Sequence, residues 1–298
     1  MNFDDRIKEE VFWINQCIQN QLPKESGFQK RIIESMNYSV EAGGKRIRPM
    51  LILESFRLCG GQDERIIEPF LAALECIHTY SLVHDDLPAM DNDDYRRGKL
   101  TTHKKFGEDF GILAGDGLLN YAYELMLNAM MHCDDSEDIK RFAMASSIIA
   151  KKAGIYGMVG GQTLDVWLTD KPMNEQELDF IFRLKTGALI EAAFMSGAAL
   201  AGANQETISK MEEIGHLVGF AFQIQDDILD VTSSLEVLGK PVLSDEKNHK
   251  TTYVSLYGME QAKKDVKDMS EKAIELIKQV GDHPFLLELV QKLVNREK

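Results

Sequence analysis

Two short segments of the sequence bring aspartates close together. Asp85, Asp86 and Asp91 follow an apolar run with helical spacing, and Asp93 and Asp94 come directly after them. Such crowding is costly, because two like charges about 4 Å apart near a protein surface repel by about 4 kcal/mol. A divalent cation would offset that repulsion, and Mg²⁺ commonly bridges one or two carboxylates to substrate phosphates. The first segment therefore predicts a magnesium site, with a solvated acidic loop as the alternative.

A second acidic segment lies far along the chain. Asp226, Asp227 and Asp230 occur in a long stretch whose apolar residues recur at helical spacing. The spacing of four places Asp226 and Asp230 on the same face of the predicted helix. Like charges at this spacing destabilise an isolated helix slightly, so a cation is expected here too. Two such segments in one chain favour a metal site over an acidic loop.

Basic side chains also occur in clusters. Lys45, Arg46 and Arg48 fall within four positions at a predicted helix start. The backbone N–H groups of a helix start attract anions, whereas a basic side chain there opposes the helix dipole, so the cluster needs another reason. Arg96 and Arg97 follow the first acidic segment, and a guanidinium group matches the geometry of phosphate oxygens. The sequence thus predicts an anion site, with a solvated basic surface as the alternative.

The combination of these motifs resembles the trans-isoprenyl diphosphate synthases, the polyprenyl synthetase family. In that family two aspartate-rich motifs face each other across a cavity and hold Mg²⁺ on an allylic diphosphate. The first motif has the longer DDxxxxD form here and the second has the DDxxD form; the resemblance extends from about Gly43 to Tyr253. It implies about three Mg²⁺ ions per active site with diphosphate bound. The implied metal ligands are Asp85, Asp86, Asp91, Asp226, Asp227 and Asp230.

The same resemblance divides the other site residues between two diphosphates. Isopentenyl diphosphate is expected to contact Lys45, Arg48, His78, Arg97 and Phe222. The allylic diphosphate is expected to contact Arg96, Lys185, Thr186, Gln223 and Lys240. Gln162 and Asp165 match a further family segment that faces the cavity. From the residues alone, His78 could equally be a core histidine, and Gln162 with Asp165 a polar pair at a helix end.

The reaction implied by the resemblance is ionisation of the allylic C–O bond. Mg²⁺ and nearby cationic side chains would stabilise the departing pyrophosphate. The double bond of isopentenyl diphosphate then attacks the allylic cation, and a proton leaves. Water would quench that cation, so the polar, turn-rich segment 238–253 is interpreted as a lid. The implied catalytic residues are Asp85, Asp86, Asp91, Arg96, Lys185, Asp226 and Lys240.

Product length is expected to depend on two residues before the first motif. In the family, the positions four and five before the first aspartate line the floor of the elongation channel, and here they are Ser81 and Tyr80. The bulky Tyr80 predicts that condensation with dimethylallyl and then geranyl diphosphate stops at farnesyl diphosphate. Geranylgeranyl or geranyl diphosphate synthase is the alternative. A terpene cyclase and a non-catalytic subunit are disfavoured, because both acidic motifs and the basic cluster are intact. A squalene-synthase-like enzyme is disfavoured because it would usually carry a membrane anchor.

Composition limits the classes of protein that fit. A chain of 298 residues with 44% hydrophobic content can bury one large core or two small ones. Its net charge of −14 argues against nucleic acid or an anionic membrane as a partner, since both would repel it. The four cysteines lack metal-ligand spacing, which indicates reduced thiols. Because signal-peptide and membrane-span patterns are absent, the protein is expected to be cytoplasmic, without membrane insertion.

Helical periodicity covers almost the whole chain, and strand-like alternation is absent. The sequence therefore predicts one all-α domain over residues 1–298, a bundle of roughly ten or more helices. The resemblance adds a central substrate cavity, as in the isoprenoid synthase fold, and a homodimer, the commonest closed assembly. Asn174 with Glu177 is predicted to form a capping box that opens a long helical run to Ala201, and Asn204 to cap a helix that ends in the second acidic motif. The other predicted helices with clear bounds are 4–20, 28–42, 46–60, 108–131 and 137–159.

Overall fold

The structure, a computed structural model, describes residues 2–238 and 251–294. Over these ranges the chain is helical apart from one short two-stranded hairpin, which confirms the all-α prediction. By their contacts, the described residues form two compact units. The first comprises the residues up to Ser146 with Ala199–Gly202, and the second comprises Ser147–Ala198 and the residues from Ala203 onward. The single domain over residues 1–298 stays a prediction.

The first unit is built around a buried helix that leads into the first acidic motif. Its elements are α1 (Phe3–Gln21), α2 (Lys30–Val40), α3 (Ile47–Leu58), a 3₁₀ turn (Glu64–Ile67), α4 (Glu68–Asp85), β1 (Tyr95–Arg96), β2 (Lys99–Leu100), α5 (Thr102–Phe106), α6 (Glu108–Met131) and the start of α7 (Ser136–Ala153). Helix α4 packs against α6, α1 and α3. Its side chains Phe70, Leu71 and Leu74 are fully buried.

One segment of this unit passes a test for membrane spans. Glu64–Asp85, which contains α4, is long and apolar enough to cross a bilayer, but 67% of its apolar window is buried inside the protein. Core helices of soluble proteins have the same properties. We therefore interpret α4 as a core helix that holds the first acidic motif in place.

The second unit contains the second acidic motif on its longest helix. Its elements are the end of α7, α8 (Met158–Trp167), α9 (Glu175–Ile181), a π-helical segment (Phe182–Gly187), α10 (Ala188–Leu200), α11 (Gln205–Leu238), α12 (Tyr253–Tyr257), α13 (Met259–Val280) and α14 (Pro284–Val294). Two glycines let α11 approach α10 and the π-helical segment closely. A Cβ on Gly215 would lie 2.6 Å from the Glu191 Cα, and one on Gly219 would lie 2.8 Å from the Gly187 Cα.

Side-chain caps fix several helix starts as the sequence predicted. Asn174 and Glu177 form the capping box at the start of α9. The Asn204 side chain accepts a hydrogen bond from a backbone N–H three residues later, at 2.9 Å. Such caps satisfy backbone donors that have no partner within the helix. The polar residues at helix starts were therefore reliable signals.

Four expectations about the elements were wrong. The predicted helix 137–159 is interrupted at Gly154–Gly157, where the Gly157 N–H donates to the Gly154 carbonyl at 2.9 Å. The run that begins at Asn174 is interrupted by the π-helical segment. Helix α11 continues beyond the second acidic motif to Leu238. The hairpin of β1 and β2 was missed, because strands of two residues are too short for alternation to appear.

Candidate active site

The first acidic motif is a tight turn at the end of α4. The Asp91 N–H donates to the Asp85 carbonyl at 2.8 Å, and the Met90 N–H donates to the Leu87 carbonyl at 2.8 Å. The residues between the two ends of the motif are thus folded into a closed turn. This turn returns the backbone of Asp91 to that of Asp85, so the longer motif still brings its first and last aspartates together.

Asp86 differs from its neighbours because it is buried and paired. Its residue surface is 3% exposed. Arg96 approaches the Asp86 Oδ1 with Nε at 2.8 Å and Nη2 at 2.6 Å. Burial raises the pKa of Asp86, while the hydrogen bonds and charge of Arg96 oppose that rise. The geometry therefore makes Asp86 the residue that orients Arg96.

The hairpin that carries Arg96 and Arg97 has a strained turn. Strands β1 and β2 pair antiparallel through Arg96 and Lys99, and the turn residues Arg97 and Gly98 have φ values of 53° and 76°. Two positive φ values are typical of a type I′ hairpin, where a residue as large as arginine is unfavourable. Backbone strain of this kind is often found at functional sites.

The strained turn places the Arg97 side chain on the glycines that precede the basic cluster. Its Nη1 donates a hydrogen bond to the Gly43 carbonyl. A Cβ on Gly44 would lie 2.5 Å from Arg97 Nη1, and Gly44 itself has a φ of 145°. Only glycine at this position leaves room for the guanidinium group.

Within the basic cluster, Arg46 has a structural role. Its Nη1 lies 2.5 Å from Glu75 Oε1, its Nε donates to Asn15 Oδ1 at 2.8 Å, and its Nη2 donates to the Val40 carbonyl at 2.8 Å. Arg46 is buried and has a φ of 49° at the start of α3. These bonds use its guanidinium group to fix the helix start. Lys45, by contrast, is exposed.

His78 on α4 lies in strongly positive surroundings. Burial lowers its pKa well below the usual value, and the charges of Arg48, Arg97, Arg46 and Arg96 lower it further. Burial also lowers the pKa of Arg48 to about 10, with a contribution from Arg97. The imidazole is therefore neutral among four guanidinium groups. Such an excess of positive charge would be relieved by a bound anion.

The two residues predicted to set product length lie on α4 close to His78. Tyr80 is 7% exposed, and its ring lies 5.8 Å from the His84 ring in an edge-on arrangement. Burial raises the Tyr80 pKa to about 12. The Ser81 hydroxyl donates to the His78 carbonyl at 2.9 Å. Tyr80 is thus the side chain that fills space here, while Ser81 is held against its own helix.

The second unit contains a cavity of 370 Å³ lined by the second acidic motif. Asp226 and Asp230 lie on one face of α11, as their spacing predicted, and both border this cavity. The cavity is open and combines carboxylates, cationic and hydroxyl groups with an apolar wall. Its lining residues include Asp165, Met173, Phe182, Lys185, Thr186, Gln223, Asp226, Asp227, Asp230, Thr251 and Thr252.

Lys185 enters the cavity from the π-helical segment. Its Nζ donates to Asp165 Oδ2 at 2.5 Å. The segment lies directly against α8, because a Cβ on Gly161 would lie 2.2 Å from the Lys185 backbone nitrogen. Short π-helical insertions are frequent at functional sites, where they redirect side chains. The structure thus places Asp165 of the further family segment beside a predicted catalytic lysine.

Asp227 has a backbone partner that the sequence did not reveal. Its Oδ2 accepts a hydrogen bond from the Tyr253 N–H at 2.7 Å. Tyr253 is the first residue of α12, whose start is fixed by a capping box between Thr252 and Ser255. A carboxylate at a helix start is stabilised by the N–H groups there. Part of the Asp227 carboxylate is therefore used to hold α12.

Residues 29–289 match the family model of the polyprenyl synthetases. The chain belongs to the polyprenyl synthetase family. It is 44% identical over 289 residues to a farnesyl diphosphate synthase of Micrococcus luteus, covering 96% of each chain. It is also 44% identical over 267 residues to a geranylgeranyl diphosphate synthase of Cyanophora paradoxa, covering 89% of this chain and 87% of that one.

A solved structure supports the same assignment. The crystal structure of an FPP/GFPP synthase from Zymomonas mobilis matches with a TM-score of 0.86 and 30% identity, covering 98% of this chain and 99% of that one. The resemblance predicted from the motifs is thereby confirmed, and so is the isoprenoid synthase fold. The roles of individual site residues stay predictions.

The residues of this polyprenyl synthetase fit a magnesium ion that is shared with substrate. Among the described residues, no group of three or more His, Cys, Asp or Glu side chains could hold a metal ion by itself. Mg²⁺ usually binds through one or two carboxylates plus substrate phosphates. Asp226 and Asp230 provide such a pair on one wall of a cavity that also contains Lys185.

The predicted site residues of this polyprenyl synthetase fall into three groups. The first unit brings Arg48, His78, Arg96 and Arg97 together, with Asp85, Asp86 and Asp91 at the end of α4. The second unit brings Lys185, Thr186, Gln223 and the second acidic motif together, and Phe222 is half-buried on the same helix, α11. Lys240 and most of the predicted lid lie outside the described residues.

Proposed function

We propose that this polyprenyl synthetase condenses isopentenyl diphosphate with dimethylallyl and then geranyl diphosphate to give farnesyl diphosphate. The observation that carries this proposal is the cavity of the second unit, where Asp226 and Asp230 lie with Lys185 and Thr186. Carboxylates that can share Mg²⁺ with a diphosphate, beside a lysine that can bind it directly, suit a pyrophosphate leaving group.

In this proposal the aspartates and cations of the site act on the allylic diphosphate. When bound, Mg²⁺ supplies positive charge that stabilises the departing pyrophosphate. Asp226 and Asp230 of the second unit would hold such ions, and Asp85 and Asp91 of the first unit are proposed as further ligands. Lys185 exchanges its bond with Asp165 for one with the diphosphate. The Asp165 carboxylate, released from Lys185, can then accept a hydrogen bond from another donor beside the diphosphate.

The cationic groups around His78 form the site for isopentenyl diphosphate in this proposal. Lys45, Arg48 and Arg97 contribute positive charge, and guanidinium groups match the oxygens of a diphosphate. Because His78 is neutral, its ring supplies one N–H donor without adding to the repulsion among the arginines. Arg46 supports the site indirectly, since it fixes the start of α3.

A geranylgeranyl product is the second candidate. It is favoured by the 44% identity to the geranylgeranyl diphosphate synthase of Cyanophora paradoxa, which equals the identity to the farnesyl diphosphate synthase of Micrococcus luteus. The buried Tyr80 favours the shorter product, because a large side chain at the channel floor stops elongation early.

The first unit also has a surface that suits a second copy of the chain. Helix α6 exposes four large apolar side chains, Ile112, Leu113, Leu127 and Met131. Exposed apolar surfaces of this kind often mark interfaces between proteins. We therefore propose a homodimer in which α6 forms part of the interface. The cytoplasmic location expected from the sequence remains part of the proposal.

Product analysis tests the proposed reaction. The purified protein is incubated with Mg²⁺, labelled isopentenyl diphosphate and, separately, dimethylallyl, geranyl or farnesyl diphosphate. A fifteen-carbon product from the first two primers, with farnesyl diphosphate left unextended, is expected. A twenty-carbon product would keep the reaction type and replace the product assignment. The variant D226A serves as the inactive control. A wild type that condenses no primer, and so gives the same result as D226A, would overturn the proposal.

A further inference from the structure

A buried histidine beside the first acidic motif has no role in the site described so far. His103 lies on α5 and is 5% exposed. Its Nδ1 lies 3.1 Å from Thr101 Oγ1. Among the described residues, its Nε2 has no hydrogen-bond partner. Because burying an unpaired nitrogen is unfavourable, an apolar residue would suit this position better if the side chain only filled space.

The hydrogen bonds of Thr101 identify which nitrogen of His103 carries a proton. The Thr101 hydroxyl donates to the Asp93 carbonyl at 2.8 Å. A hydroxyl group has a single proton, so towards His103 the same oxygen must accept. The His103 Nδ1 is therefore the donor, and the unpaired Nε2 carries no proton in the neutral ring. A chain of two hydrogen bonds thus leads from Nδ1–H through the Thr101 hydroxyl to the Asp93 carbonyl.

This chain ends on the segment between Asp91 and Arg96. The Thr101 N–H donates to the Asp94 carbonyl at 3.0 Å, and Lys104 Nζ lies 2.8 Å from Asp94 Oδ1. The start of α5 therefore holds both Asp93 and Asp94. These two residues connect the last aspartate of the first motif with the arginine that pairs with Asp86.

His103 is itself held rigidly. A Cβ on Gly111 of α6 would lie 3.0 Å from the His103 Cβ, so the two helices are in close contact there. The neighbouring Thr102 hydroxyl lies 2.7 Å from the Ser39 hydroxyl in a buried contact. The backbone of α5 at His103 is therefore held from two sides, which fixes the point from which the ring reaches the Thr101 hydroxyl.

We propose that His103 is a positioning residue for the first acidic motif. Its Nδ1–H fixes the Thr101 hydroxyl, which holds the Asp93 carbonyl and thereby the placement of Asp91 and Arg96 for Mg²⁺ and diphosphate. The inference rests on the proposed function, because it assigns those two residues to the metal and the allylic diphosphate. It adds a residue outside both acidic motifs to the set that determines magnesium affinity.

Three substitutions separate the two ring nitrogens. In H103N the amide nitrogen takes the place of Nδ1, in H103Q it takes the place of Nε2, and H103L has neither. We expect H103L and H103Q to raise the Mg²⁺ concentration for half-maximal activity about tenfold, as is typical for groups that support metal ligands. H103N should stay within about threefold of the wild type, because it keeps the donor to Thr101.

A double substitution tests whether His103 acts through the hydroxyl group of Thr101. T101V removes the hydroxyl group, whereas T101S keeps it. If His103 acts through this hydroxyl, adding H103L to T101V should change the magnesium dependence little further, since coupled residues are not additive. Independent, additive effects of the two substitutions would overturn the proposed sequence of hydrogen bonds.

Thermal unfolding distinguishes positioning from core filling and from failure of the proposed function. The midpoint is measured with and without Mg²⁺ plus inorganic pyrophosphate, which requires no turnover. The increase in unfolding midpoint caused by Mg²⁺ and pyrophosphate should be smaller in H103L and H103Q than in the wild type and H103N. Equal rises in all four proteins, or an H103N as impaired as H103L, would overturn the proposal. An inactive wild type that still shows this pattern would overturn the proposed function alone.

Discussion

At the scale of single residues, each motif contains side chains with different roles. Arg46 and Asp86 have the same residue types as their neighbours, yet both are buried and paired, with Glu75 and Arg96 respectively. Lys45 and Asp91 are exposed. The sequence could not separate these roles, because the partners of the buried residues come from positions about ten to thirty residues away. Burial is decided by packing that the local pattern does not contain.

A substitution of Tyr80 tests whether this single side chain limits the length of the product. Y80A removes a side chain that is 7% exposed, which should open the channel floor and lengthen the main product beyond fifteen carbons. The same truncation should reduce the free energy of unfolding by about 3 kcal/mol. Product chromatography after incubation with labelled isopentenyl diphosphate checks the first effect, and urea denaturation the second.

The matched control is Y80F, which keeps the ring and loses only the hydroxyl group. Its product should remain the same as that of the wild type. An unchanged product in Y80A would remove Tyr80 as the floor of the channel. A lengthened product in Y80F would mean that the hydroxyl group, and not the volume of the ring, limits elongation.

At the scale of elements, helices with polar caps and regular periodicity were predicted well. Helix α6 has the predicted bounds, and the capping box at Asn174 and the second acidic motif lie where the sequence indicated. The π-helical segment could not be predicted from its own residues. It packs against Gly161 on α8, a contact that forms only in the folded chain. The Asp227 bond to Tyr253 was missed for the same reason: residues 26 positions apart meet only in the folded chain.

The glycine pair before α3 gives a prediction about an element and its neighbour. In G44A the new Cβ would meet Arg97 Nη1 at 2.5 Å, and alanine would be strained at a φ of 145°. Arg97 must then move away from the basic cluster. The KM for isopentenyl diphosphate should rise about tenfold, equivalent to about 1.4 kcal/mol of binding, while the KM for geranyl diphosphate changes less.

Gly60 provides the control for backbone strain alone. It has a φ of 87°, but nothing lies within 4 Å of the position its Cβ would take. G60A should therefore lower stability without a selective change in KM. Similar KM values for isopentenyl diphosphate in G44A and the wild type would show that Arg97 does not depend on Gly44.

At the scale of the whole molecule, one buried carboxyl group affects stability through pH. Arg57 lies within 2.6 Å of Glu10, Glu54 and Glu64, so three carboxylates share one guanidinium group. Burial, the largest cause, raises the pKa of Glu54 from 4.5 to about 7. The folded protein therefore keeps a proton that the unfolded chain loses between pH 4.5 and about 7. The contribution of Glu54 to the free energy of unfolding therefore falls as pH rises through this range.

The variant E54Q tests this pH dependence, since glutamine stays neutral. Between about pH 5 and pH 8, its free energy of unfolding should fall by about 2 kcal/mol less than that of the wild type. Urea denaturation at several pH values measures the difference. Parallel pH profiles for the two proteins would show that Glu54 titrates normally in the folded state.

Assembly is the second property of the whole molecule. L127D places a charge on the exposed apolar face of α6 and should convert a dimer of the protein into monomers, as measured by light scattering after size exclusion. F28D is the control, because Phe28 is fully exposed but lies before α2. Dimers of equal stability in both variants would place the interface elsewhere on the surface.

The glycine contacts of α11 have a consequence for how this enzyme could diversify. At Gly215 and Gly219 the main chains of neighbouring helices touch, so no side chain there can shrink, grow or rotate to absorb a change. Substitutions at these two glycines are therefore expected to be rejected. The acidic face of α11 and Lys185 should then keep the same relative position in related sequences. If Tyr80 limits product length as predicted, new product lengths are expected to arise at that position and not at these glycines.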